Sequence, residues 1–255
     1  MIHSSDLKSR LREEPMFGCF VTFASPAVTE YIAHLGFDFT LLDGEHAAMD
    51  SVIIEDMIRA SQCAGVPSIV RIPFNRAEHI RKALDSGADG VQVPLVSTAA
   101  DARAALGPAN FPPEGERGVA FLTRAARYGM EPDRASYFER ANEAKLVSLH
   151  IETPEAVANL DEILEVGGAD VYFVGPGDLA VSMGYGREPN HPEVLATMER
   201  CVRRIRERGR IAGTLATDVT RSRQVIEWGA TYIVTAIQPL VAQGVTQYLQ
   251  ALRKR

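Results

Sequence analysis

Cysteine is scarce in this chain of 255 residues: Cys19, Cys63 and Cys201 lie far apart and form no CxxC pair. That excludes a disulfide framework or a cysteine-built zinc cage and points to a reducing, cytoplasmic setting. No apolar run approaches the roughly 20 residues that span a bilayer, and the opening MIHSSDLKSRLREEP is polar where a secretory leader needs an apolar centre. Neither secretion nor a membrane partner is expected. Concentrated positive charge is also missing, since 27 Lys and Arg face 33 Asp and Glu for a formal net charge of −6. A nucleic-acid partner is therefore not expected either. GxGxxG, GxxxxGK[ST] and HExxH do not occur, so nothing supports a dinucleotide site, a P-loop or a zinc-protease helix.

What is present is a balance of 46% hydrophobic and 24% charged residues, enough to bury a large core. One junction recurs: a helical pattern ends at glycine and an apolar, β-branched run follows, as in LGFDFTLLD, SGADGVQVP, GGADVYFVG and WGATYIVTA. Such a junction reads as a helix capped by a left-handed glycine that feeds a strand buried on both faces. Working outward from these anchors predicts strands at about 19–23, 39–43, 68–72, 90–94, 146–152, 171–175, 211–216 and 232–236. Helices are predicted near 26–35, 50–63, 75–86, 97–106, 154–166, 192–208, 218–229 and from about 239 onward. Eight such units in one chain of this length predict a closed (β/α)8 barrel, and the absence of a Pro- or Ser-rich linker makes residues 1–255 a single domain. An additional amphipathic helix at about 4–13, capped by Ser4 or Ser5, is expected to close the bottom of the barrel. The stretch 107–131 breaks the rhythm, and its FPP and RGVAFL segments are expected to pack over the barrel mouth or against a neighbouring subunit.

In a barrel, reactive side chains gather at the C-terminal ends of the strands. That filter selects Asp43, Glu45 and His46 after the second strand, Arg71 at the third, His150 and Glu152 at the fifth, and GPGD, ending at Asp178, after the sixth. Glu152 and Asp178, on adjacent strands, suit a hard divalent cation such as Mg²⁺ or Mn²⁺, with salt bridges as the structural alternative. The amides of Gly177 and Asp178 can face an anionic substrate group, although a tight turn explains GPGD equally well. Arg71 is expected in the mouth, holding a carboxylate or a developing enolate oxygen or paired with Asp43. His46 is a candidate general base, with Asp43 accepting its ring N–H. Glu45, taken as extended chain, is expected to point away from His46. His150 reads as a hydrogen-bonded core histidine one layer below Glu152. Schiff-base chemistry needs a lysine inside the barrel, and Lys8, Lys82, Lys145 and Lys254 all fall on helices, the tail or a strand entrance.

Taken together, DGEH at 43–46, VRIP at 70–73, GVQVPLV at 90–96, RGVA at 117–120, IETPEAVANLDEI at 151–163 and GPGDLAVSMGY at 175–185 resemble the HpcH/HpaI aldolase family of metal-dependent class II pyruvate aldolases. The resemblance implies retro-aldol cleavage of 4-hydroxy-2-oxo acids to pyruvate, or an analogue such as hydroxypyruvate, and an aldehyde. It implies Glu152 and Asp178 as ligands of Mg²⁺, Mn²⁺ or Co²⁺, His46 as base with Asp43, Arg71 on the enolate oxygen, and Gly177 and Asp178 amides on the keto-acid carboxylate. It further implies that Asp85 supports a site across a subunit interface and that the chain forms hexamers, trimers of dimers that exchange the 239–255 helix. The chain departs from the family pattern at His150, where glutamine is usual, at GPGD in place of GPAD, and at TAIQPL after the last strand. Two further functions fit the same residues less closely: a carbon–carbon lyase of the citrate-lyase-β or malyl-CoA type, and a noncatalytic binding barrel. The former needs basic groups for a CoA chain such as RRIRERGR at 203–210 could offer, although a solvated helix face is the ordinary reading of that run.

Overall fold

The computed structural model describes residues 4–186 and 188–253. Eight parallel strands close into one barrel in chain order. They are β1 (Met16–Val21), β2 (Phe39–Asp43), β3 (Ser68–Arg71), β4 (Gly90–Val93), β5 (Leu146–Ile151), β6 (Val171–Val174), β7 (Ile211–Leu215) and β8 (Tyr232–Ala236). The helices are α1 (Ser4–Glu13), α2 (Pro26–His34), α3 (Ser51–Cys63), α4 (Ala77–Asp85), α5 (Ala99–Ala109), α6 (Tyr137–Ala144), α7 (Pro154–Ala158), α8 (Leu160–Val166), α9 (Pro176–Ser182), α10 (Pro192–Glu207), α11 (Val219–Trp228) and α12 (Ile237–Arg253). Among the described residues no helix is long and apolar enough to cross a membrane.

Residues alternate between two cores. Met16, Phe20, Phe39, Leu41, Ile69, Leu146, Val171, Phe173, Ile211, Tyr232 and Val234 fill the barrel interior, while their strand neighbours pack outward under the helices. This is the period of two expected of strands covered on both sides. The glycines of the four recurring junctions, Gly36, Gly87, Gly167 with Gly168, and Gly229, all have positive φ, which an L side chain adopts only at a cost. Helix α1 closes the bottom: Leu7 and Leu11 are fully buried in the interior core, and Lys8 reaches Asp170 at 2.9 Å. The expected cap at Ser4 or Ser5 lies outside the described side chains.

Several local expectations are corrected. Strand β1 begins at Met16, three residues earlier than the apolar run suggested, because Met16 N–H already pairs with the Thr231 carbonyl. The helix expected over 154–166 divides at Asn159 into α7 and α8. Helix α9 was not anticipated: GPGD is its first turn, with Pro176 at the position where a missing N–H costs nothing. Helix α6 was also not anticipated, and it ends the 107–131 excursion on the way to β5. The excursion does not cover the mouth. It joins α5 to β5, an αβ connection, and therefore lies at the opposite end of the barrel, where Ala125 N–H bonds the Asp85 carbonyl and Arg124 bonds the Ser86 carbonyl at 3.1 Å.

Helix α12 starts directly after β8, so TAIQPL is a strand end running into a helix. Only Ile237 of α12 is buried, and Leu240, Val241, Val245, Tyr248, Leu249 and Leu252 are exposed. Where an eighth covering helix would lie over β8 and β1, a groove of about 490 Å³ is lined by Phe17, Phe37, Ile233 and Leu240.

Candidate active site at the barrel mouth

Strands β2 and β3 pair with Asp43 directly opposite Arg71. The two side chains meet as a fork: Arg71 Nε donates to Asp43 Oδ1 at 2.9 Å and Nη2 to Oδ2 at 2.7 Å. Both are buried, Asp43 to 2% exposure, and the guanidinium rests 4.6 Å from the centre of the Phe20 ring. Asp43 Oδ1 also accepts from the backbone N–H groups of Glu45 and His46, each at 3.2 Å. Burial opposes the charge on Asp43, but the Arg71 bonds and the two amides outweigh it and hold the carboxyl below its ordinary range.

These amide bonds wind residues 44–46 into a turn, which overturns two sequence expectations. Asp43 grips the His46 backbone and does not reach its ring. Glu45 does not point away: its Oε2 lies 3.7 Å from His46 Nε2 and 3.2 Å from Arg71 Nη1. His46 itself is largely exposed at the rim, while Glu45 is mostly covered. Burial pushes the Glu45 carboxyl up, against the pull of Arg71 and His46.

Glu152 follows β5 and is buried to 3% exposure. Its Oε1 accepts from Leu95 N–H at 2.8 Å and its Oε2 from His150 Nδ1 at 2.7 Å. Burial again opposes ionisation, and His150, the Leu95 amide and Arg71 together bring the carboxyl below its usual value. The His150 ring is stacked on Phe173 at 4.7 Å, so the core-histidine reading holds with Glu152 as its partner. Gly175 makes room for this carboxylate, because a Cβ there would stand 3.0 Å from Glu152 Oε2. Beyond it, Gly177 faces open space, and Asp178, in the first turn of α9, is exposed with no side-chain partner among the described residues.

Asp85 is not part of this mouth. It is the last residue of α4, at the far end of the barrel, and pairs with Arg117 Nη2 at 2.7 Å. Conversely, two residues that sequence reasoning passed over belong to the site. Leu95 sits at φ 54 and so aims its amide at Glu152. Gln92 is fully buried on β4 opposite Arg71, with its amide group unpaired among the described residues; a glutamine in the apolar run GVQVP was the available signal.

Could this mouth hold a divalent ion? Among the described residues no three His, Cys, Asp or Glu side chains gather into a cage. The donor set is of another kind: Arg71 is a single cation among the carboxylates of Asp43, Glu45 and Glu152. Glu152 is held ionised and Asp178 is free, and hard cations that keep waters and substrate oxygens need only one or two such protein ligands. The residues fit.

A protein-family model described as HpcH/HpaI aldolase/citrate lyase matches residues 16–240. The chain belongs to that family. It is 39% identical over 231 residues to a hydroxypyruvate/pyruvate aldolase of Sagittula stellata, covering 90% of each chain. Against a 4-hydroxy-2-oxo-heptane-1,7-dioate aldolase of Klebsiella pneumoniae it is 37% identical, covering 90% of this chain and 86% of the relative. Among solved structures, an HpcH/HpaI aldolase/citrate lyase family protein from Burkholderia cenocepacia superposes with a TM-score of 0.92 at 34% identity, covering 98% of this chain and all of the other. The chain is thus a carbon–carbon lyase of the aldolase kind.

The Asp43–Arg71 fork carries a stability consequence. Arg71→Leu strands a buried carboxylate and is expected to cost about 3–5 kcal/mol in urea unfolding at pH 7. Because the Asp43 carboxyl is held below its unfolded value, its contribution is full above that value and fades as pH falls through the lower folded one. Asp43→Asn combined with Arg71→Leu should recover part of the loss; equal stability of the single variant and the wild type would show that the fork contributes nothing.

Proposed function

We propose that this chain is a metal-dependent class II aldolase that reversibly cleaves 4-hydroxy-2-oxo acids to pyruvate, or a close analogue such as hydroxypyruvate, and an aldehyde. One observation carries the reading: a buried arginine, fixed by Asp43, presents its remaining N–H edge to a mouth rich in carboxylates and, among the described residues, free of lysine. Lys8 and Lys145 bond at the bottom of the barrel, and Lys82 sits in the last turn of α4, outside the barrel. The electron pair released on cleavage therefore has to be stabilised by charge, without an iminium.

Glu152 and Asp178 would hold the divalent ion, Mg²⁺, Mn²⁺ or Co²⁺, which when bound polarises the keto-acid oxygens and acidifies the neighbouring carbon. Arg71 holds the keto oxygen as it gains enolate charge. The amides of Gly177 and Asp178, near the open first turn of α9, take the substrate carboxylate. His46, exposed at the rim, removes the proton from the carbon beside the carbonyl when the bond forms, and from the 4-hydroxyl when it breaks. Asp43 serves Arg71 in this scheme. Asp85 can contribute only from a second copy, since it lies at the far end of its own barrel. A CoA-dependent lyase is less well supported: in RRIRERGR, Arg203 pairs with Glu199 within α10, and Arg204 and Arg208 both pair with Asp161 of α8.

A second copy is also the partner that the apolar face of α12 and the uncovered groove over β8 and β1 require. In the proposed assembly, a hexamer built from dimers, each α12 covers the neighbour's groove.

Two measurements check this reading. Pyruvate release from 4-hydroxy-2-oxo acids should vanish in EDTA and return with Mg²⁺, Mn²⁺ or Co²⁺; chelator-resistant release would remove the metal, and no release from any such acid would remove the reaction. In light scattering, the wild type should run as a hexamer of 27.8 kDa chains, and the Val245→Glu, Leu249→Glu double variant as a smaller species. An unchanged mass would take α12 out of the interface.

A further inference from the structure

Glu152 is held ionised, so its oxygens can only accept, and the 2.7 Å contact with His150 Nδ1 requires a proton on that nitrogen. An imidazole with one proton then carries a bare lone pair on Nε2. That atom is buried and has no partner among the described residues, and the same is true of the Ser148 hydroxyl and of both amide atoms of Gln92. All three side chains are enclosed, at 0% exposure for Gln92 and Ser148 and 2% for His150. Strand register explains why these orphaned atoms occur together. Gln92 on β4 pairs directly with Ser148 on β5, and His150 follows two residues along β5 on the same inward face. Diagonal neighbours of this kind stand about 7–8 Å apart at the backbone, within reach of long side chains. Leaving such groups unmatched is costly, and each supplies what another lacks.

We propose that Gln92 is a positioning residue for Glu152, acting through His150 in a one-way chain of hydrogen bonds. Ser148 O–H donates to Gln92 Oε1, Gln92 Nε2–H donates to His150 Nε2, and His150 Nδ1–H donates to Glu152 Oε2. The first two links close directly or through one enclosed water. With Nε2 engaged as an acceptor, the ring proton stays on Nδ1. Phe173, stacked on the imidazole at 4.7 Å, helps to keep the ring from turning its bare nitrogen toward the carboxylate. Glu152 therefore keeps a permanent donor on Oε2 beside the Leu95 amide on Oε1, and its other lone pairs are left for an ion. The consequence for metal binding rests on Glu152 being a ligand, as proposed above, whereas the tautomer of His150 does not. Partners that orient a metal ligand contribute about 10- to 100-fold in affinity.

Nitrogen-15 NMR of the metal-free protein reads the tautomer, and Mn²⁺ titration followed by electron paramagnetic resonance reads the site. The wild type should show His150 as one neutral form protonated at Nδ1. Gln92→Met keeps the length of the side chain and removes its polar atoms; a second form protonated at Nε2 should appear, and Mn²⁺ affinity should fall about 10-fold. His150→Gln should bind Mn²⁺ nearly as well as the wild type, because an amide donates to Glu152 with no tautomer to fix. In that background Gln92→Met should cost nothing further, since the two residues act as a unit. An unaltered tautomer and unaltered affinity in Gln92→Met would overturn the proposal, as would a wild-type ring protonated at both nitrogens or at Nε2 alone. An equal loss of affinity in both backgrounds would mean that Gln92 acts by packing beside Arg71, and would overturn it as well. Absence of Mn²⁺ binding in the wild type would instead remove the metal assignment, and the tautomer would still decide the role of Gln92.

Discussion

Everything at the mouth depends on keeping one guanidinium charged and fixed in a place where water is largely excluded. An unpaired arginine at this depth would be unstable, because taking an ion out of water costs several kcal/mol even after relaxation, roughly speaking. Parallel pairing of β2 and β3 solves this by setting Asp43 opposite Arg71, so that two parallel hydrogen bonds form without either side chain leaving its strand direction. Phe20, from β1, closes the remaining face. The fork leaves Nη1 available, and that edge meets Glu45.

The other half of the mouth is built by the same logic with the sign reversed. Glu152 is buried and ionised because one oxygen has a backbone donor and the other has His150. Each support has its own structural requirement: a left-handed Leu95 to aim the amide, Phe173 beneath the imidazole, and the absence of a side chain at Gly175. Carboxylates outnumber cations at this end of the barrel. Under the proposed function, a divalent ion and an anionic substrate would together offset this imbalance and supply positive charge at the reacting oxygens.

The barrel itself was readable from sequence because its strands are buried on both faces and therefore appear as short continuous apolar runs, all but β1 and β5 announced by a left-handed glycine. The polar ends of those runs identified Asp43, Arg71 and Glu152. What could not be read was direction in the loops. DGEH looked like continuing strand, and only the bonds from Asp43 to the two following amides reveal the turn that brings Glu45 to Arg71 and His46. Similarly, GPGD has the composition of a turn, and becomes the first turn of α9 because Pro176 and the buried Leu179 and Ala180 that follow fit a helix packed on the barrel. Of the two placements expected for the excursion at 107–131, packing over the mouth fails on topology: a segment between a helix and the next strand has to run at the bottom of the barrel.

The central claim is that this mouth is built for an enolate. Oxalate, a planar dianion with the shape and charge of the pyruvate enolate, tests it directly by calorimetry on the metal-loaded protein. The account predicts that oxalate binds at least about 100-fold more tightly than pyruvate, as analogues of a reactive state do, and that Arg71→Lys removes most of this preference. Oxalate binding no tighter than pyruvate would contradict it.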